Sequence, residues 1–420
     1  MGLGLLGRGV GDAAFLARMG VKVLVTDLKA DKELRKSVLR LKKFKNIEFH
    51  LGGHRLEDFR NRDFILKAAG VPLDSPYIAE ARKNEIPIEM DASLFAKLMP
   101  KGVTLVGITG TRGKTTTAYL IFEILKTNNK KVFLAGNIKD TATLPFLEKV
   151  KAGDFVVAEL DSWQLQGFGD AKLSPPISVF TTFLPDHMNY YKGDMNLYFK
   201  DKANIFKYQK KGDILIFGDS VVEAACHLGA QLPSSALIAR AVDLPTDWKL
   251  KIIGEHNRYN AACALAVARA LKIPDEISKE AIENFGGVPG RLEFIREIRD
   301  VRIYNDTCAT TPDATMAALR ALSSKQIILI LGGSDKGLDM SKLVAEIPKY
   351  CKGVVLLPGT GTEKLISNSK FLISNQTPIS NVKNLREAVK KTVAIAKRSD
   401  IILFSPALSS FGMFKNEYDR

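Results

Sequence analysis

The sequence predicts an α/β protein of three domains, with parallel sheets covered by helices. Three observations predict it. Apolar, β-branched runs of about five residues alternate with helical stretches along the whole chain. A glycine-rich loop joins one such run to a helix in the central part, and a second glycine pattern opens the chain. At 420 residues there is room for about three domains of ordinary size.

Residues 1–95 form the first predicted domain. Gly2, Gly4 and Gly7 stand in GxGxxG register, a helix is expected from Val10 to Met19, and a strand from Val21 to Val25 leads to Asp27. Asp27 lies where a Rossmann-like dinucleotide fold puts its ribose-binding acid. Only Met1 precedes the glycines, so the strand that should come first is missing, and a weakened domain with an open sheet edge is expected. Strands at Ile47–His50, Phe64–Lys67 and Ile86–Glu89, and a helix from Pro76 to Asn84, complete the unit.

Residues 96–287 form the second. The run Val103–Val106 enters GITGTRGKTTT, Gly107 to Thr117, and leaves through the apolar stretch Tyr119–Leu125. Strand, glycine loop and helix start make a phosphate cradle. Gly110 and Gly113 open the backbone so that N–H groups, including those of Thr111 and Thr116, face an anion at a helix N-terminus. Lys114 adds a full charge for the outer phosphates, and Thr115 a hydroxyl suited to magnesium. The strict GxxxxGK[ST] spacing is not met, because Ile108 stands where its first glycine belongs. Further strands are expected at Lys131–Ala135, Phe155–Leu160, Ile177–Thr181 and Ile214–Phe217, with an alanine-rich helix from Tyr259 to Leu271. Glu159 ends one strand and His187 follows another, at the carboxyl ends where parallel-sheet sites collect. With Thr115 they could make a magnesium site of oxygens and imidazole.

Residues 288–420 form the third, Rossmann-like unit. It opens near Val288-Pro289-Gly290-Arg291, with strands expected at Arg302–Asn305, Gln326–Leu331, Gly353–Leu357 and Ile401–Phe404.

Composition narrows the function. The formal charge is +15, but Lys and Arg are spread in short groups mixed with acids, which describes a solvated surface favouring anionic nucleotides better than a nucleic-acid patch. Cys226, Cys263, Cys308 and Cys351 are scattered without a CxxC pair, which argues against a disulfide framework or a zinc site. No apolar run is long enough for a membrane span and no leader pattern opens the chain, so a cytoplasmic protein without membrane insertion is expected; a monomer is expected as well.

The series GITGTRGKTTT, Gly136-Asn137, Glu159 to Leu165, Pro185-Asp186-His187-Met188, Lys202 to Ile205 and His256 to Ala261 resembles the Mur ligases, ATP-dependent amide-forming enzymes of peptidoglycan synthesis. Asn305 to Thr310, Gly332 to Gly337 and Ser405 to Ser410, with the N-terminal GLGLLGRG, resemble the branch that adds D-glutamate to UDP-N-acetylmuramoyl-L-alanine. The resemblance implies ATP and Mg2+, a central P-loop ATPase domain, an N-terminal UDP-sugar domain, a C-terminal amino-acid domain, and an acyl-phosphate route. It implies that Thr115 and Glu159 face the magnesium of ATP and that His187 faces a second one. Lys202 matches a lysine the family carbamylates. By the same matching, Lys114, His187 and Lys202 are catalytic, and Asn260, Arg291 and Asp306 contact the nucleotide. Leu5, Leu6, Gly7, Asp27, Gly70 and Asn137 contact the UDP-sugar substrate, and Thr310, Lys336 and Ser410 hold D-glutamate.

Four features depart from the pattern. Asp161 stands where serine is usual, adding a negative charge near the metal, and Cys308 where lysine is usual. Glu417 replaces an expected aromatic beside Tyr418, and the chain stops at Arg420, short of the expected end. Alternatives are a related ligase with another acceptor, such as folylpolyglutamate synthase, a non-catalytic nucleotide-binding derivative, and a nicotinamide oxidoreductase resting on Gly2, Gly4, Gly7 and Asp27. The last leaves the second phosphate loop, Glu159 and His187 without a task.

Overall fold

A computed structural model describes residues 1–5, 7–139, 141–324, 326–367, 377–410 and 414. Leu6 and Glu417 lie outside the described residues. The chain divides into two compact units. The first comprises Met1–Asp186, Asp194–Leu244 and Asn260–Ile282; the second comprises His187–Gly193, Pro245–Tyr259 and Glu283–Arg420.

In the first unit the glycine-rich start leads into a helix, Arg8–Arg18, two residues earlier than the apolar pattern indicates. The strands Val23–Asp27 and Ile47–Leu51 pair in parallel, as do Ile65–Leu66 and Ile88–Glu89. The first two residues stand between these pairs. Gly2 N–H donates to the Thr26 carbonyl at 2.8 Å, and Ala68 N–H to the Met1 carbonyl at 2.9 Å. The sheet edge expected to stand open is therefore partly paired by the chain's own first residues, a correction to the open gap read from the sequence. Leu34, Val38 and Leu41 of the helix Asp31–Leu41 pack with Val10, Ala13, Ala17 and Val25 beneath it.

The same unit holds a six-stranded parallel sheet, in the order Leu237–Ala239, Ile214–Gly218, Ile177–Phe180, Thr104–Thr109, Phe155–Glu159, Val132–Gly136. The neighbouring strands Thr104–Thr109 and Phe155–Glu159 send their connections to opposite sides, so their carboxyl ends form a switch point where α/β sheets bind ligands. The helix Lys114–Thr127 follows the first of them. Its buried residues Thr117, Leu120, Ile121 and Ile124 recur at helical spacing and turn one stripe to the sheet.

The second unit is built on the strands Glu293–Ile298, Val301–Asn305, Ile401–Phe404, Ile327–Gly332, Cys351–Leu357 and Ile379–Asn381, in that order. The first pair is antiparallel and the others are parallel. Alternate residues of Ile327–Gly332 feed different cores. Leu329 and Leu331 pack with Leu319, Leu343 and Ile347, whereas Ile328 and Ile330 pack with Val355, Leu357 and Ala388. A strand buried on both faces reads as a continuous apolar run, which is how this segment reads in sequence.

Candidate active site

The strand Thr104–Thr109 ends in the glycine loop, and Gly113 caps the following helix with φ 84°, a left-handed conformation costly for residues with a Cβ. The loop is held from the neighbouring strand. Thr111 N–H donates to the Thr182 carbonyl at 2.7 Å, Arg112 N–H to Thr182 Oγ1 at 2.8 Å, and Thr181 Oγ1 to the Arg112 carbonyl at 2.6 Å. Arg112 also pairs with the buried Asp186 at 2.9 Å.

Lys114 Nζ donates to the Gly110 carbonyl at 3.0 Å and to that of Thr111 at 3.3 Å. Thr115 Oγ1 donates to Glu159 Oε2 at 2.6 Å, and Glu159 is buried. The hydroxyl and carboxylate predicted as metal partners thus meet at the switch point. Two hard oxygens at one spot suit magnesium, which keeps several of its waters and takes few protein ligands. Among the described residues no three His, Cys, Asp or Glu side chains converge into a larger metal cluster.

Lys202 belongs to the helix Met195–Ala203, only 1% exposed, and its Nζ donates to the Gly110 carbonyl at 2.9 Å and to Thr109 Oγ1 at 3.3 Å. Burial, and then the charge of Lys114, hold its amine well below the usual lysine range, against the pull of Asp161 and Asp186. Two lysine amines therefore share one carbonyl oxygen, an arrangement that disfavours a charge on Lys202. Asp161 accepts from Gln164 N–H at 2.7 Å and caps the helix Ser162–Asp170. Serine and aspartate are both good N-caps, so the departure at this position preserves the local fold.

Asn137 and Asn260 also lie in this unit. Asn137 N–H donates to the Glu159 carbonyl at 2.7 Å. Asn260, on the helix Glu255–Ala270, faces the loop so closely that a Cβ on Gly113 would overlap its Oδ1. Asp27 Oδ2 accepts from Gly4 N–H at 3.0 Å and Oδ1 from Lys29 N–H at 2.8 Å, so this carboxylate organises the glycine loop. Leu5 is exposed, Gly7 caps the first helix with φ 83°, and Gly70 follows Ile65–Leu66. His187 falls in the second unit, in a left-handed conformation with φ 56°, its carbonyl accepting from Tyr190 and Tyr191 N–H groups.

In the second unit the three D-glutamate candidates follow three neighbouring strands. Thr310 comes after Val301–Asn305, Lys336 after Ile327–Gly332, and Ser410 after Ile401–Phe404. Lys336 Nζ donates to Thr310 Oγ1 at 3.3 Å, and Ser410 is buried. Asp306 accepts from Leu292 N–H at 2.9 Å and Ser405 Oγ at 2.8 Å; burial pushes its carboxyl up to about 7. Cys308 N–H donates to the Gly290 carbonyl at 2.9 Å, next to Arg291.

Comparison with known proteins agrees with this geometry. Residues 108–231 match the Mur ligase middle domain, and 290–408 match the Mur ligase, glutamate ligase domain. A protein of Roseiflexus sp. (strain RS-1), named UDP-N-acetylmuramoylalanine--D-glutamate ligase, is 36% identical over 100% of this chain and 95% of its own. The chain belongs to the Mur ligase family. A protein of the same name from Clostridioides difficile (strain 630) is 32% identical, covering 99% of this Mur ligase and 94% of itself. Among solved structures, the UDP-N-acetylmuramate-alanine ligase MurC of Thermotoga maritima shares the fold, with a TM-score of 0.65, 21% identity, and 97% and 94% of the two chains covered.

Several residues that shape this Mur ligase's loop do not stand out in the sequence. Only Thr181 and Thr182, a pair of hydroxyls at a strand's carboxyl end, were a readable signal. The Arg112 and Asp186 ion pair spans 74 positions and gave none. Arg8, which donates to Asn137 Oδ1 at 2.9 Å from 129 positions away, gave none either.

Proposed function

We propose that this Mur ligase joins D-glutamate to UDP-N-acetylmuramoyl-L-alanine with ATP, in peptidoglycan synthesis. The observation that carries the reading is full-length similarity to proteins named for that reaction, at 36% and 32% identity. We assign residues 1–95 to the UDP-sugar, 96–287 to ATP and 288–420 to the amino acid. Thr310, Lys336 and Ser410 supply hydroxyls and a cation, a set suited to a dicarboxylate.

ATP phosphorylates the substrate carboxylate, giving an acyl phosphate, and the D-glutamate amine attacks that carbonyl and expels phosphate. Both steps concentrate negative charge, so the chain's contribution is positioning and electrostatics. Lys114 and the loop N–H groups bind the outer phosphates, and Thr115 with Glu159 would hold Mg2+, which neutralises phosphate charge when bound. Lys202, with its lowered pKa, presents a neutral amine able to add carbon dioxide: an N–C bond forms, one proton leaves the nitrogen, and the neutral amine becomes an anionic carbamate. The carbamate's negative charge would then attract the Lys114 ammonium. On the resemblance, Asn260, Arg291 and Asp306 serve the nucleotide and His187 a second magnesium.

The test is release of ADP and phosphate with UDP-N-acetylmuramoyl-L-alanine, D-glutamate and ATP, with Lys114→Ala as blank. Release requires all three. Release with another amino acid and not with D-glutamate overturns the assignment.

A further inference from the structure

Asn137 is held at both ends. Its N–H donates to the Glu159 carbonyl at 2.7 Å, and its side-chain Oδ1 accepts from Arg8 Nη2 at 2.9 Å. A guanidinium has donors and no acceptor, so it can face only the oxygen of a carboxamide. The orientation of Asn137 thus follows from chemistry, and its amide nitrogen must turn away from Arg8. That nitrogen makes no hydrogen bond to the described residues, and the residue is partly exposed.

Arg8 is itself held in place. It opens the helix Arg8–Arg18, its Nε lies 3.9 Å from Asp91 Oδ2, and Asp91 accepts from Thr143 Oγ1 at 3.3 Å. Asp12, one turn further along the same helix, is also buried near Asp91; burial, and then Asp91, raise its carboxyl well above the usual range. Asp91 approaches Arg8 at Nε, while Nη2 is the nitrogen that donates to Asn137.

We propose that Arg8 is a positioning residue, fixing the Asn137 carboxamide so that only N–H donors face the substrate. The group they meet is an acceptor, a carbonyl or carboxylate oxygen of the UDP-muramoyl-alanine. The inference rests on the assignment of Asn137 to that substrate.

Steady-state kinetics of the full chain test it. Arg8→Met raises KM for UDP-N-acetylmuramoyl-L-alanine about tenfold, as expected for losing one hydrogen bond to a charged group, and leaves KM for ATP unchanged. Arg8→Lys restores most of the loss, and Arg8→Met combined with Asn137→Ala is no worse than Asn137→Ala alone. Asn137→Asp keeps an acceptor for Arg8 but loses the donors, so KM for the UDP substrate rises at least tenfold while Tm is unchanged or higher. This variant carries the test if Arg8→Met does not fold. Multiplying effects in the double variant, equal shifts of every KM, or a wild-type KM in Asn137→Asp overturn the proposal. If the unsubstituted chain turns over the UDP substrate while Arg8→Met keeps its KM, only the positioning role fails. If the unsubstituted chain does not turn it over, the proposed function fails as well.

Discussion

Replacing Gly136 by alanine is expected to destabilise the first unit and loosen the proposed magnesium site together. Gly136 has φ 78°, where a residue with a Cβ loses about 1–2 kcal/mol. The added carbon would overlap the Glu159 carbonyl oxygen and stand 3.0 Å from its carbon and 3.1 Å from the Glu159 nitrogen. These are backbone atoms, so no rotamer relieves the clash. The strand end must shift, losing the 2.7 Å bond from Asn137 N–H to the Glu159 carbonyl, worth about 1 kcal/mol. The total is about 2–3 kcal/mol, or roughly 5–10 °C in Tm for a unit of this size. Because Glu159 holds Thr115 at 2.6 Å, the Mg2+ concentration for half-maximal activity rises as well. Thermal unfolding with and without Mg-ATP, followed by a Mg2+ titration of turnover, reads both effects. A Tm within about 1 °C of the parent and an unchanged Mg2+ dependence would show that Gly136 sets neither the strand end nor the magnesium site.

Lys202→Met removes the amine that would become a carbamate and should lower turnover by at least about a hundredfold, the scale of losing one preorganised charged group. In the unsubstituted chain, depletion of carbon dioxide should reduce turnover and added bicarbonate restore it; indifference to both argues against carbamylation. Asp306 has a folded pKa of about 7, raised above its unfolded value, so its contribution to stability is full below about pH 4 and lost as pH rises to about 7. Asp306→Asn should flatten the second unit's stability in that window, measured by denaturant unfolding at several pH values; parallel curves would contradict this.

Four strands of the second unit were legible, most clearly where burial on both faces writes a continuous apolar run, as in Ile327–Gly332; the short edge strand Ile379–Asn381 was not. Nor was the edge strand Glu293–Ile298. Its residues are mostly exposed and mix Phe294, Ile295 and Ile298 with charged neighbours out of strict alternation, and its pairing with Val301–Asn305 comes from a tight antiparallel turn that leaves little periodic signal. The meeting of Thr115 and Glu159 was legible because parallel topology brings strand carboxyl ends together. Asp161 read as a metal-site departure because the helix it caps was not drawn from sequence. The contacts of Arg112 with Asp186 and of Arg8 with Asn137 depend on how distant segments pack, which local pattern does not encode.

In the proposed reaction, the UDP-N-acetylmuramoyl-L-alanine carboxylate is activated by phosphorylation before D-glutamate attacks it. Oxygen-18 placed in that carboxylate tests this most directly, with the released phosphate analysed by mass spectrometry. One labelled oxygen is expected in each phosphate released when D-glutamate is present. Phosphate carrying only unlabelled oxygen, or released equally without D-glutamate, would contradict it.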